Sequence, residues 1–252
     1  MFWGKNIMAG TAALMTLAAP AAALAETIVV RASGPSAGDF KPGRKLADNV
    51  TITLKAGDVL TLLDGRGTRT LRGPGSFGST SGASAGSDTR TSLATLLESK
   101  RVMRARTGAV RGSAGPEGPV RSPNLWYVDI SQNSAACVPD PANVRIWRPS
   151  IAEAADVAIT PVAGGRAQTV HFDMGQAVAW WPESLPVEEG SGYSLSWAGL
   201  TTPVTIRFAI MAPGSEGLET MASALISKQC NAQLDLLVET VAMPDPAPDT
   251  GN

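Results

Sequence analysis

Histidine occurs once in this 252-residue chain, as His171 in the run TVHFD, two residues before Asp173. On a strand that spacing sets both side chains on one face. There an aspartate could hold an imidazole in the orientation a general base needs, and an ordinary surface pair on a strand has the same spacing. The nucleophile is the missing member. Two Gly-x-Ser-x-Gly runs, GPSAG at 34–38 and GASAG at 82–86, carry the letters of a nucleophile elbow, which must sit between a strand and a helix. GPSAG runs on into DFKPG, which cannot start a helix cleanly, and GASAG lies in low-complexity sequence. Glu188 and Glu189 stand in a Gly-flanked loop and read most simply as a solvated turn. The residues assemble no catalytic set, and the expectation is a non-enzymatic protein with no catalytic residues, no metal and no cofactor.

A second candidate chemistry is anion binding. The stretch GDVLTLLDGRGTRTLRGPGSF at 57–77 mixes glycines with Arg66, Arg69 and Arg72. A Walker-type phosphate loop needs Gly-Lys-Ser/Thr after its spacer, and a dinucleotide fingerprint needs a glycine that opens a helix. Past residue 25 no Gly is followed by Lys, and Gly65-Arg66-Gly67 leads into a second apolar, strand-like run. The glycines therefore read as a turn. The three arginines are left as a candidate basic contact surface, against the plainer reading of a solvated hairpin.

Aromatic residues offer a third chemistry. Trp126, Trp147, Trp180, Trp181 and Trp197 all lie in the second half. Exposed indoles stack sugars or grip peptides, whereas buried ones are core. Strand alternation sends Trp180 and Trp181 to opposite faces, so both are named as candidate binding residues, with core packing the default for most of the five. Cys137 and Cys230, the two cysteines of the chain, read first as a disulfide in an oxidising compartment. A structural zinc site would want four N/S ligands. Closing a loop of roughly 90 residues would contribute about 4 to 5 kcal/mol in the chain-entropy model.

The elements that must position these residues follow from patterning. An Ala-rich apolar run ends in Ala23-Leu24-Ala25, the small-x-small pattern of a secretory signal. Cleavage after Ala25 would leave an exported protein of about 227 residues, periplasmic where the cell has two membranes, with no stable membrane anchor. Residues 26–77 form a β unit: TIVVRAS is a strand, Val50, Ile52 and Leu54 alternate with polar residues, and two strand-like runs flank Asp64-Gly65-Arg66-Gly67. Residues 78–121 hold a linker and a basic helix. The Gly/Ser-rich stretch from Gly73 to Asp88 reads as flexible, and Leu93, Leu96, Leu97 and Met103 share a helical face.

From 122 to 242 about seven short strands, LWYVDI, VRIW, DVAIT, QTVHF, AVAWW, YSLSW and VTIRFAI, suggest a β-sandwich. One long C-terminal helix follows, with Ser215 as its cap. Ala222, Ile226, Cys230, Leu234, Leu237 and Val241 lie on its buried face. Residues 243–252 read as a disordered tail. The fold class is mainly β: a small β unit plus a C-terminal sandwich with a long helix. Charge divides between the halves, with fifteen Lys/Arg against eight Asp/Glu from Glu26 to Arg121 and five against fourteen thereafter. Such asymmetry indicates either an anionic partner for the first half or docking of the two halves on each other.

The run LKAGDVLTLLDGRGTRTLRGPGSF, through Gly57, Asp58, Leu60, Leu62, Asp64, Gly65, Leu71, Gly73, Pro74 and Gly75, resembles the FecR-like domain, a small β-rich periplasmic module. The resemblance covers about 50 residues and implies an architecture only. The cleavable signal departs from the iron-citrate regulators, so transmembrane signalling is not implied. The whole chain also resembles exported bacterial proteins combining such a hairpin with a Cys-containing final helix. These readings converge on an interaction or ligand-binding protein whose partner is an envelope protein or a glycan, peptidoglycan included, and not a nucleic acid. A hydrolase using His171 is the lesser alternative.

Overall fold

The computed structural model describes residues 27–47, 49–79, 93–94, 96–97, 120–212 and 217–242. The proposed signal segment, the GASAG run, Ser215, Met103 and the tail after Ala242 lie outside these residues. Fourteen strands and two C-terminal helices are described. No described helix is long and apolar enough to cross a membrane.

The first half builds a four-stranded sheet in the order β2-β1-β4-β5 and a two-stranded ribbon of β3 and β6. Strand β1 spans Thr27–Ser33, β2 Lys45–Leu46, β3 Thr51–Leu54, β4 Val59–Asp64, β5 Gly67–Arg72 and β6 Gly75–Gly78. Alternation in TITL explains β3, whose Ile52 and Leu54 are buried while Thr51 and Thr53 are exposed. Strand β4 is apolar almost throughout because both faces of its sheet are covered. Leu60 and Leu62 pack with Val29, Ile52, Leu54, Leu71 and Phe77 against the ribbon. Val30 and Leu63 point the other way, into a core built with the helices.

The hairpin turn is tighter than the sequence suggested. Asp64 and Gly67 are paired, so the connection is Gly65-Arg66 alone, with the Arg66 N–H donating to Asp64 Oδ1 at 2.8 Å. The stretch read as linker from Gly73 also begins as structure. Strand β6 pairs with β3, and Ser79 is fully buried, its Oγ donating to Ala47 O and accepting from the Val50 N–H.

The second half is sandwich-like. A five-stranded sheet, β11-β10-β13-β14-β8, faces a three-stranded sheet, β12-β9-β7. Their strands are β7 Tyr127–Asp129, β8 Ser134–Val138, β9 Arg145–Trp147, β10 Ala155–Pro161, β11 Gln168–Phe172, β12 Val178–Trp180, β13 Gly192–Ser196 and β14 Val204–Ile210. Inward positions of both sheets, among them Val128, Ile146, Ile159, Leu195, Ile206 and Phe208, form one core. Seven of the eight strands match apolar runs in the sequence. Strand β8, SAACV, has too few branched residues to declare itself. It joins the sheet edge in parallel with β14, so that Cys137 lies opposite Ala209.

The expected single C-terminal helix is two: α1, Leu218–Ser227, and α2, Asn231–Thr240. Gln229 adopts a left-handed φ of 61°, and the Lys228 and Cys230 N–H groups close back on Ala224 O and Leu225 O. That geometry ends a helix. The apolar spacing continues across the break because both helices bury faces in one core, with Ala222, Leu225, Cys230, Leu234, Leu237 and Val241 buried and Ile226 partly so. The helix layer lies between the two halves. Val30 and Leu63 meet it from one side, Cys137 and Ala209 from the other. Thr68 secures the contact, its N–H donating to Val241 O and its Oγ1 to Val238 O. Arg31 pairs with Asp235, and Arg121 with Glu239 at 2.5 Å.

Candidate functional site

The sequence candidates do not come together. Arg66 lies in the hairpin turn, paired with its neighbour Asp64. Arg69 is only 3% exposed, with Nη2 donating to Ser79 O and Nε without a partner. Burial lowers the pKa of its guanidinium. Arg72 is exposed. The three therefore form no common basic surface: β5 alternation sends Arg69 and Arg72 in different directions, and Arg69 holds Ser79 in place.

Trp181 is a core residue. Its ring meets Tyr193 and Phe208 edge-on at 4.8 and 4.9 Å, and its Nε1–H donates to Leu185 O at 2.8 Å. Trp180 is 57% exposed, and Arg145 lies over its ring at 4.2 Å. Arg145 also reaches Tyr127 Oη at 3.4 Å, so Trp180, Arg145 and Tyr127 form a row across β12, β9 and β7.

His171 and Asp173 do share a face, as their spacing indicated, but the nearer partner is Asp156 on the neighbouring strand. Nδ1 stands 2.7 Å from Asp156 Oδ1 and Nε2 3.3 Å from Asp173 Oδ1. The hydrogen bond to Asp156 leads the interactions that raise the His171 pKa. Ser36 of GPSAG is in the other half of the molecule, where its N–H donates at 2.8 Å to Asp58 Oδ1. Asp58 is buried. It accepts a second backbone N–H, from Lys55 at 2.6 Å, and these bonds, that from Ser36 first, lower its pKa. Asp58 thereby fastens two loops together.

A different place has the form of a binding site. A groove of about 950 Å³ runs between the edges of β7 and β8 and the first turn of α2. Tyr127 and Asp129 border it on one sheet, Ala135 and Arg207 on the other, and Asn231 and Gln233 on the helix. Both strands are last in their sheets. One end is closed by the side-chain amide of Gln233, 8% exposed. Its Oε1 accepts the Cys137 N–H at 2.6 Å, and its Nε2 donates to Cys137 O and Leu125 O, both at 2.8 Å. Gln233 thus satisfies the outward N–H and C=O of Cys137 as a neighbouring strand would.

The disulfide between Cys137 and Cys230 fastens β8 to the start of α2 beside this contact, with Cα atoms 5.9 Å apart. Position alternates along β8, so the backbone N–H and C=O of Ala135 also point away from β14. On β7 the Ile130 N–H donates to Trp147 O on the β9 side, and alternation turns Tyr127 and Asp129 outward. The two acids of the groove already have partners. Asp129 accepts from the Ser131 N–H and Oγ and from Gln132, and Asp235 pairs with Arg31. Arg207 is exposed and lines the groove; it makes no salt bridge among the described residues, although it lies near enough to Glu189 to help lower that carboxyl's pKa. No sequence motif marked this site, because it is made of strand edges and one glutamine.

Among the described residues no cluster of His, Cys, Asp and Glu could hold a metal ion. Comparison with protein-family models, curated proteins and solved structures finds no match to this chain.

Proposed function

We propose that this is a non-enzymatic interaction or ligand-binding protein of the periplasm, exported by cleavage after Ala25, and that the groove between β7, β8 and α2 is its binding site. The observation that carries the reading is the groove itself. Its 950 Å³ lies within the range of ligand sites, ~300–1,000 Å³, and it joins apolar walls to outward backbone groups and a cation. The internal disulfide agrees with export. The likeness of the hairpin to the FecR-like domain belongs to this reading as a proposal about architecture.

The test is a photo-crosslinking amino acid placed at Ser134 in the groove or at exposed Val162 outside it, in protein expressed in its own cell envelope. A species crosslinked from Ser134 and absent from Val162 is the expected outcome. Equal, non-specific labelling from both positions rules the groove out.

A glycan-binding reading rests on Trp180, whose indole is exposed beside Arg145 and Tyr127. Sedimentation with purified peptidoglycan sacculi tests it: binding that survives Trp180→Ala removes this reading. Trp181→Ala is no test, since it would empty a core position.

A further inference from the structure

The groove has a property that a pocket for a small molecule does not need. Two sheet edges open into it, and one of them is already satisfied at one position by a surrogate for a strand. Exposed edges are templates for pairing with another chain, and natural proteins usually cover or blunt them. Here Gln233 covers β8 at Cys137. Two residues earlier, at Ala135, the same edge faces the groove without such a cover. The outward N–H and C=O of one strand residue are what an incoming extended backbone pairs with.

The side chains around this edge select for charge. Arg207 sits directly across from Ala135 in the β14–β8 register and lines the groove. Arg121, also on the lining, is paired with Glu239 and Asp235 with Arg31, while Asp129 keeps its charge on the opposite, β7 side of the groove. Arg207 is the lining cation without a salt bridge among the described residues, and its place next to Ala135 sets it beside whatever pairs with this edge. The geometry points to an extended peptide segment carrying an acidic residue as the occupant: it adds as a strand to the β8 edge at Ala135, stops against Gln233, and places its carboxylate beside Arg207. This inference rests on the groove being the binding site and names the chemistry of what binds there.

Proline gives a selective test. In a sheet it is tolerated where the N–H faces away from the ladder, so Ala135→Pro should leave folding intact and remove the donor an added strand needs. The probe is a linear heptapeptide selected from a phage-displayed random library on the full chain and then made synthetically. We expect selected peptides to carry Asp or Glu and to lose at least tenfold in affinity to Ala135→Pro, with the melting temperature changed by only a few degrees. Arg207→Ala should weaken them several-fold, more at low salt than at high. Independently of any protein variant, N-methylation of alternate peptide amides should abolish binding at one parity and spare the other.

Peptides that bind Ala135→Pro as well as the parent, or that tolerate N-methylation at both parities, overturn the inference. A glycan fragment crosslinked from Ser134, with no peptide selected, overturns it while leaving the groove as the site. Absence of any groove-specific ligand removes both.

Discussion

Replacing Gln233 by Ala removes three hydrogen bonds that no other side chain supplies: one accepted from the Cys137 N–H and two donated, to Cys137 O and Leu125 O. Each group left buried and unsatisfied costs about 1–3 kcal/mol, and water entering from the groove recovers part of that. A loss of about 2–4 kcal/mol is expected, a large share of the ~5–15 kcal/mol that holds a typical domain together. Gln233→Glu separates hydrogen bonding from packing. The carboxylate still accepts from Cys137 but sets negative oxygen against two carbonyls, so it should be worse than Ala at neutral pH.

The sign of its pH dependence follows. Those carbonyls favour the protonated acid in the folded state and raise its pKa above the unfolded value of about 4.3, so the penalty is present above the folded pKa and is relieved as pH falls through it. Urea unfolding followed by tryptophan fluorescence, with the disulfide intact, measures both variants. An Ala variant within about 0.5 kcal/mol of the parent, at an unchanged denaturant slope, would refute the claim that Gln233 stands in for a strand.

Four other perturbations are sharp enough to measure. Replacing both Cys137 and Cys230 by Ser opens a loop of 93 residues, and the chain-entropy model gives a loss of about 4–5 kcal/mol; calorimetry of the parent with and without reductant should show the same displacement. At Gly73 an added Cβ would lie 2.0 Å from Lys55 O, so Gly73→Ala should unfold at markedly lower temperature in circular dichroism melts. His171 has a raised pKa, so its contribution is complete below about pH 6.5 and is lost as pH rises through the folded value; NMR titration should show Asp156→Asn moving the imidazole pKa downward. Co-expressed fragments 26–79 and 90–252 should stay associated in 1 M NaCl on a sizing column, and dissociation there would show that charge rather than the shared core joins them.

Patterning made most strands legible because their apolar residues alternate or cluster: TIVVRAS buries its first four residues in a row, and TITL buries Ile52 and Leu54, although Val50 before them is 40% exposed. The disulfide was legible from an even pair of cysteines in a chain read as exported. Strand β8 was not, since SAACV is defined by the edge it completes rather than by its own propensity. The helix break was hidden because Cys230 sits in the connection at a position that continues the apolar period. Arg69 misled for a related reason: an arginine in a hairpin reads as solvated, and only the return of the chain at Ser79 buries it. Arg148 was passed over altogether, although its guanidinium donates to three backbone carbonyls, of Gln176, Glu153 and Asp173, and ties the loops beneath His171.

The opposite charge of the two halves takes on a different meaning once their contact is seen. Arg31 meets Asp235 and Arg121 meets Glu239, each pair spanning the division of charge, yet all four side chains are more than a third exposed. Exposed pairs of this kind contribute about 0–1 kcal/mol each, too little to hold two β units together. Val30 and Leu63 instead bury against Leu218, Leu225, Leu237 and their neighbours, and removing an aliphatic side chain of that size from water is worth about 1.5–3 kcal/mol. The apolar face supplies the attachment, and the charges set its orientation and oppose other docking modes. Basic composition in the first half therefore requires no anionic ligand there. A ligand site is better sought where a charge lies beside unpaired backbone, at Arg207 and the edge of β8.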